Sequence, residues 1–209
     1  MQRTRIKICG ITRQCDLESA VNAGADAIGF VFYPPSPRCL SLSAAAELAA
    51  TVPPFVTRVG LFVNAEAAEV RRTLAAVGLD LLQFHGEESR EYCEQFGLPY
   101  LKAARVRPGV DLLEFAGNYP SASGLLLDAW VEAYGGVGQS FDWSLIPAQL
   151  PLPVVLSGGL HADNVAHAVT KLHPWAVDVS SGVEAAKGIK DADKIAAFVA
   201  AVRTADAGK

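Results

Sequence analysis

The chain has 209 residues, of which 51% are hydrophobic and 19% are charged, and its net charge at pH 7 is -4. This length and composition indicate a globular protein with one large core. Because the sequence has no basic run and no basic patch studded with aromatic residues, a nucleic acid is not expected as a partner. No apolar run approaches the length of a membrane span, so a membrane is not expected as a partner either.

The cysteines and histidines show no pattern of a metal or redox site. The four cysteines, at positions 9, 15, 39 and 93, form no Cys-x-x-Cys pair, and the chain begins without an apolar leader. Reduced thiols and a cytoplasmic location are therefore expected. The histidines at positions 161, 167 and 173 recur every six residues, a spacing that does not keep to one side of a helix. We expect no metal and, in the absence of a dinucleotide-binding motif, no cofactor.

Strand-like and helix-like segments alternate eight times along the chain. Residues 5–9 alternate in polarity, which predicts a strand with Ile6 and Ile8 on one face and Lys7 and Cys9 on the other. The other predicted strands cover residues 25–33, 55–63, 79–85, 100–105, 124–128, 154–157 and 175–179. The predicted helices cover residues 16–23, 44–51, 64–78, 87–97, 110–117, a brief segment from residue 141, 163–172 and 191–203. This alternation predicts an α/β fold, a single (β/α)8 TIM barrel formed by residues 1–209 as one domain.

Glycine-containing turns follow the last two predicted strands. The first is Ser157-Gly158-Gly159-Leu160, and the second lies in Asp178-Val179-Ser180-Ser181-Gly182-Val183-Glu184. The last two loops of a parallel barrel commonly hold a phosphate, because small residues let backbone N–H groups approach an oxyanion. Gly158, Gly159, Ser180, Ser181 and Gly182 are therefore predicted to bind a phosphate, although ordinary tight turns would show a similar pattern.

Few reactive side chains fall at the C-terminal ends of the predicted strands, where barrel active sites collect. They are Cys9, Arg38, His85, Asp128 and Asp178. Asp128 ends an apolar run, where partial burial would let a carboxyl group serve as an acid; the alternative is a helix cap or turn residue. Cys9 would need help to act as a base, for which Lys7 on the same face is a candidate; the alternative is a small buried hydrophobe.

Arg38 ends the proline-rich segment Pro34-Pro35-Ser36-Pro37-Arg38, which predicts a loop at the mouth of the barrel. A guanidinium group in that place is suited to a substrate carboxylate, whereas a solvated loop arginine is the alternative. An acid, a base, a carboxylate site and a phosphate site together predict proton transfer on a small phosphorylated acid.

The segment Lys7-Ile8-Cys9-Gly10-Ile11-Thr12 resembles the opening motif of the phosphoribosylanthranilate isomerases, the Amadori enzymes of tryptophan biosynthesis. The resemblance continues in order along nearly the whole chain. It includes Ser36-Pro37-Arg38, Gln83-Phe84-His85-Gly86, Leu126-Leu127-Asp128-Ala129 and the two glycine-containing turns. One departure is Val137, which stands where the family usually has threonine, in a long loop predicted at residues 130–140.

The resemblance implies a role for each candidate residue. Cys9 would be the general base, Asp128 the general acid and Arg38 the group that holds the anthranilate carboxylate, while Asp178 would lie near the ribose. Asp128 would protonate the furanose ring oxygen and open the ring to a Schiff base, and Cys9 would then remove the C2′ proton. We also expect His85 to contact the substrate.

Three alternatives to this function stay open. One is the Amadori isomerase of histidine biosynthesis, although that family uses two aspartates and the first strand here ends in Cys9. The second is a barrel that binds a phosphorylated metabolite without turning it over, and the third is an isomerase that serves both pathways. Either a monomer or a homodimer is compatible with the sequence.

Overall fold

The computed structural model of this protein describes residues 3–129 and 142–208. Eight parallel strands, β1 to β8, close into a barrel in chain order, which confirms the predicted fold class. The strands are β1 Arg5–Cys9, β2 Ala27–Val31, β3 Thr57–Phe62, β4 Leu81–Phe84, β5 Tyr100–Val106, β6 Gly124–Ala129, β7 Val154–Leu156 and β8 Ala176–Val179. The barrel closes where β1 pairs with β8, with Lys7 in register with Asp178.

Helices surround the barrel. They are α1 Gln14–Ala23, α2 Leu42–Ala50, α3 Ala67–Val77, α4 Arg90–Glu94, α5 Leu112–Gly117, α6 Ala162–Leu172 and α7 Ala192–Ala207. Short 3₁₀ helices span Trp143–Leu145 and Ser181–Val183, and a small antiparallel pair, β9 Glu184–Ala186 and β10 Ile189–Lys190, follows β8. The loop predicted at residues 130–140, including Val137, lies outside the described residues. None of the helices in the described ranges is long and apolar enough to cross a membrane.

Side-chain alternation along the strands separates two cores. Ile6 and Ile8, which share one face of β1 as predicted, are fully buried in the large core between strands and helices. A separate apolar cluster inside the barrel contains Leu101, Ala103, Leu126, Val155 and Ala176. Since residues two apart in a strand share a face, the next interior positions after Leu126 and Ala176 are Asp128 and Asp178. The apolar layer therefore supports a layer of polar side chains nearer the C-terminal ends of the strands.

The prediction that Glu87 and Glu88 open the fourth helix is wrong. The helix α4 begins at Arg90, and its N-cap is Ser89, whose hydroxyl accepts a hydrogen bond from the backbone N–H of Tyr92. Acidic residues are common in the first turn of a helix because the positive end of the helix dipole stabilises them, so the two glutamates suggested an earlier start.

Glu88 instead lies inside the protein in a buried ion pair. Its carboxylate lies 2.8 Å from Lys102 Nζ and accepts hydrogen bonds from the backbone N–H groups of Asn64 and Gly86, at 2.7 and 2.9 Å. Lys102 Nζ also donates to the Gly86 carbonyl oxygen at 2.6 Å. This pair connects the loops after β3 and β4 to β5, and so holds the part of the barrel mouth that carries His85.

We expect Lys102→Met to lower the free energy of unfolding by about 3–5 kcal/mol, because it leaves the Glu88 carboxylate buried without its counter-charge. Urea unfolding followed by circular dichroism measures the change. The double variant Lys102→Met/Glu88→Gln should recover part of the loss, since it removes the buried charge. A loss below about 1 kcal/mol in the single variant would contradict this account of the pair.

Candidate active site

A cavity of about 720 Å³, open to solvent, lies at the C-terminal ends of the strands. It brings together all ten residues predicted to form the site. They are Cys9, Arg38, His85, Asp128, Gly158, Gly159, Asp178, Ser180, Ser181 and Gly182. The ends of β1, β4, β6 and β8 and the loops after β2, β7 and β8 therefore contribute to one concave surface, as expected for the active site of a parallel barrel.

Cys9, at the end of β1, lies in a buried cluster of charges. Lys7 Nζ, on the same face of β1, lies 2.8 Å from Asp178 Oδ1. Burial raises the pKa of the Cys9 thiol, and the Asp178 carboxylate adds to this, whereas Lys7 and Lys190 lower it. Burial opposes the charged form of Lys7, but Asp178 and Cys9 outweigh it and raise the pKa of the ammonium group. A cation is thus present beside the thiol, as the sequence suggested, and it offsets part of the effect of burial.

Gly29 makes room for the thiol. A Cβ atom at Gly29, on the neighbouring strand β2, would lie 2.7 Å from Cys9 Sγ. Any side chain there would displace the sulfur from its position at the cavity.

Asp128, at the end of β6, is held by two hydrogen bonds. Its Oδ2 lies 3.0 Å from His85 Nε2, and its Oδ1 accepts from the backbone N–H of Ala129 at 2.9 Å. The carboxyl side chain is 20% exposed, which combines partial burial with access to the cavity. A Cβ atom at Gly158 would lie 2.8 Å from Asp128 Oδ1, so the first glycine of the loop after β7 also makes room for the carboxylate.

His85 is held in place by Gln83, which was not predicted to belong to the site. Gln83 Nε2 lies 3.0 Å from His85 Nδ1, while the other ring nitrogen faces Asp128. Gln83 is fully buried in β4. The signal for this contact was present, since Gln83 and His85 are two residues apart on one face of a strand.

Arg38 is buried rather than solvated. Its Nε and Nη2 donate to the two carboxylate oxygens of Glu184, at 2.7 and 2.8 Å, in a bidentate pair. Lys190 Nζ lies 2.9 Å from the same carboxylate. Arg38 Nη1 makes no hydrogen bond within the described residues, and the side chain lines the cavity. Glu184 and Lys190 were not predicted, because their contacts with Arg38 join residues that are far apart in the chain.

This second cluster contains two cations, Arg38 and Lys190, which share the carboxylate of Glu184. The hydrogen bonds that Arg38 donates to the Glu184 carboxylate raise the pKa of Arg38. Burial favours the protonated form of Glu184, but its bonds to Arg38 and its ion pair with Lys190 outweigh this and lower the pKa of the carboxyl group. Burial lowers the pKa of Lys190. The guanidinium group is therefore fixed in place with its charge retained.

The two glycine-containing loops touch each other at the mouth. A Cβ atom at Gly182 would collide with the backbone carbonyl oxygen of Leu160, so a glycine is needed where the loops cross. Gly158 and Gly159 have φ values of 81° and 63°, in the left-handed region that favours glycine. Lys190 Nζ donates to the carbonyl oxygen of Ser180 at 3.0 Å and places a cation behind the second loop. Loops of small residues that let a ligand approach the backbone closely, with a cation nearby, suit an oxyanion.

Taken together, the barrel and its cavity define a class of enzyme that transfers protons on a small phosphorylated acid. Comparison with known proteins supports a more particular assignment. The family model for N-(5′-phosphoribosyl)anthranilate isomerase matches residues 6–201. The isomerase of that name from Dechloromonas aromatica is 65% identical over 204 residues, which cover 98% of each chain. That from Pseudomonas paraeruginosa is 58% identical over 205 residues, covering 98% of this chain and 97% of the relative.

Solved structures agree. The phosphoribosylanthranilate isomerase of Thermotoga maritima superposes with a TM-score of 0.88 at 44% identity, covering 96% of this chain and 99% of that chain. A second structure of such an isomerase, with a TM-score of 0.84 at 42% identity, covers 96% of this chain and 99% of that one. It holds reduced 1-(o-carboxyphenylamino)-1-deoxyribulose 5-phosphate. The chain therefore belongs to the N-(5′-phosphoribosyl)anthranilate isomerase family and is an isomerase of tryptophan biosynthesis, as its motifs indicated.

Proposed function

We propose that Asp128 and Cys9 are the general acid and the general base for the Amadori rearrangement of N-(5-phosphoribosyl)anthranilate to 1-(2-carboxyphenylamino)-1-deoxyribulose 5-phosphate. The observation that carries this proposal is the shared cavity, in which the carboxyl group of β6 and the thiol of β1 face the same space above the glycine-containing loops. The small-molecule partner is thus a phosphorylated sugar that carries an aromatic carboxylate.

The first step is ring opening. Asp128 gives its proton to the furanose ring oxygen while the bond from that oxygen to C1′ breaks and the anthranilate nitrogen forms a double bond to C1′. Asp128 is left as a carboxylate that can accept hydrogen bonds from the Ala129 N–H and from His85.

The second step is proton removal. The Cys9 thiolate takes the proton from C2′, and the electron pair forms the C1′–C2′ double bond of an enolamine, which tautomerises to the ketose product. The thiol has then gained a proton and Asp128 has lost one, so a proton must pass from one to the other through solvent before the next turnover.

Binding groups hold the two ends of the substrate. Gly158, Gly159, Ser180, Ser181 and Gly182 are proposed to bind the 5′-phosphate, and Arg38 to bind the anthranilate carboxylate through the side of the guanidinium group that Glu184 leaves open. His85 and Asp178 are proposed to act next to the ribose, His85 through its contact with Asp128 and Asp178 through its contact with Lys7.

Glu184→Gln should raise KM about tenfold and leave kcat within about threefold, because it loosens Arg38 without touching the acid or the base. Steady-state rates over a range of substrate concentrations separate the two constants. Glu47→Gln, on an exposed face of α2, is the matched control. An unchanged KM in Glu184→Gln would argue against the role of Arg38 in holding the carboxylate.

The activity itself is tested with two substrates. The wild type should consume freshly generated phosphoribosylanthranilate, and the loss of anthranilate fluorescence measures this reaction. A parallel assay with the aminoaldose substrate of the histidine-pathway isomerase tests whether one site serves both reactions. Binding of phosphoribosylanthranilate without any turnover would sink the proposed acid–base roles.

A monomer or a homodimer is proposed as the assembly, and a cytoplasmic location stays a prediction. The Thermotoga maritima protein of another solved structure is described as dimeric, and that structure has a TM-score of 0.85 at 40% identity. Sedimentation velocity over a range of protein concentrations distinguishes the two states.

A further inference from the structure

One polar side chain of the cavity, Gln83, has no role in the acid and base steps as described above. It is fully buried in the barrel interior, where it lines the cavity together with His85 and Asp128. Its Nε2 lies 3.0 Å from His85 Nδ1, and His85 Nε2 lies 3.0 Å from Asp128 Oδ2. An amide, an imidazole and a carboxyl group thus form one chain of hydrogen bonds that ends at the proposed acid.

The direction in which these hydrogen bonds run depends on whether the His85–Asp128 pair holds a proton. With Gln83 Nε2–H donating to Nδ1, the neutral imidazole carries its hydrogen on Nε2 and donates it to an ionised Asp128. In that state Asp128 has no proton to give. When the His85–Asp128 pair takes up one proton, Nδ1 carries a hydrogen, whether the pair is an imidazolium with a carboxylate or an imidazole with a carboxylic acid. Nδ1 then needs an acceptor.

The acceptor is present in the same side chain. Gln83 Oε1 is buried and has no hydrogen-bond partner in residues 3–129 and 142–208. An unpaired buried amide oxygen is unfavourable, and half a turn about the last side-chain bond exchanges Oε1 with Nε2. After that turn, Oε1 lies where Nδ1–H can donate to it.

We propose that Gln83 is a positioning residue for the acid step, donating to His85 when the His85–Asp128 pair is deprotonated and accepting from it when the pair holds the proton for the ring oxygen. This proposal rests on the role of Asp128 as the acid. The proton gained by the pair from solvent is the one delivered to the substrate, so each turnover takes the amide through both orientations.

Other charges near the pair have partners of their own. On the loop of His85, Glu88 is paired with Lys102 of β5 at 2.8 Å, and Glu87 lies 3.9 Å from Arg105 of β5. Arg105 is in register with Asp128 on β6. From β1, the Cys9 thiol lines the same cavity. Within residues 3–129 and 142–208, the direct hydrogen-bond partner that His85 has besides Asp128 is the Gln83 amide.

Two substitutions test the proposal. Gln83→Met removes both hydrogen-bonding groups at similar volume, and we expect kcat to fall about 10–100-fold with KM within about threefold. Gln83→Glu keeps only acceptors, so it should hold the hydrogen on Nδ1 and keep the pair protonated to higher pH. Leu101→Met, in register with Gln83 on β5, controls for repacking of the interior.

The ¹⁵N spectrum of the His85 ring shows which ring nitrogen carries the hydrogen, a property that a change in packing alone would not alter. It is measured in histidine-labelled protein and assigned with His85→Asn. The wild type should show the Nε2–H tautomer at high pH and a hydrogen on Nδ1 after the pair is protonated. Gln83→Met should lose the tautomer preference, and Gln83→Glu should retain Nδ1–H to higher pH. If Gln83→Met keeps both the wild-type spectrum and kcat while Asp128→Asn is inactive, the role of Gln83 is overturned and that of Asp128 stands. If Asp128→Asn is active, the acid role itself fails.

Discussion

Asp128→Asn is expected to lower kcat about 10³-fold while KM changes by no more than about threefold. The amide has the shape of the carboxyl group, and its one oxygen can still accept one of the two hydrogen bonds that Asp128 makes with His85 and the Ala129 N–H, so the position of the side chain is retained. What is lost is the proton that the ring oxygen needs when its bond to C1′ breaks. Steady-state fluorescence measures both constants.

The control for this variant is Asp163→Asn in the first turn of α6, whose side chain is almost fully exposed. It changes the net charge by the same amount and should leave kcat unaltered. A kcat for Asp128→Asn within tenfold of the wild type would show that another group protonates the ring oxygen.

Cys9→Ala is expected to lower kcat to a similar extent, because no other side chain is assigned to remove the C2′ proton. Binding of a product analogue should persist, since the phosphate and carboxylate groups of the site are unchanged. A rate within tenfold of the wild type would remove Cys9 from the mechanism. Cys93→Ala is the matched control, as Cys93 is buried in the core away from the cavity.

The rate of the reaction should depend on pH in the direction that the ionisation of the Cys9 thiol sets. Burial raises the pKa of the thiol and Lys7 lowers it. The thiolate is the base, so its fraction, and with it the rate of proton removal, rises with pH until the thiol is fully ionised. Removing the cation in Lys7→Met should raise the pKa further and move this rise to higher pH.

A thiol titration of Cys9 measures that shift, with the exposed Lys171→Met as the control. Subtracting the signal of Cys9→Ala isolates the one thiol from the other three. An unchanged pKa of Cys9 in Lys7→Met would remove Lys7 from the activation of the base.

The fold could be predicted because each strand has an alternating or apolar pattern and is followed by a helical one. The residues at which the strands begin and end could be predicted less well. The predicted strand at residues 25–33 is β2 Ala27–Val31, because the apolar side chains of Phe32 and Tyr33 continue past the last paired residue. Apolar residues indicate that a segment is buried, whereas a strand ends where its hydrogen-bonded pairing with the neighbouring strand ends. A local pattern likewise placed Glu88 at the start of a helix, because it gave no sign of the ion pair with Lys102 on the next strand.

The reactive side chains could be placed from the sequence, but most of their partners could not. Cys9 and Asp128 end predicted strands, and a parallel barrel brings such ends together. The contact of Arg38 with Glu184 joins residues 146 apart in the chain, and depends on a hairpin after β8 that no local pattern indicated. Gln83 carries an ordinary amide in a strand, and its function follows only from the ring nitrogen beside it.

The measurement that tests the central claim most directly is a single-turnover fluorescence experiment with the wild type, Cys9→Ala and Asp128→Asn at saturating enzyme. Excess enzyme removes differences in affinity, so the progress curves report the chemical steps alone. The wild type should convert all of the phosphoribosylanthranilate, and both variants should remain nearly flat while still binding a product analogue. Conversion by either variant at close to the wild-type rate would contradict the assignment of acid and base to this thiol and this carboxyl group.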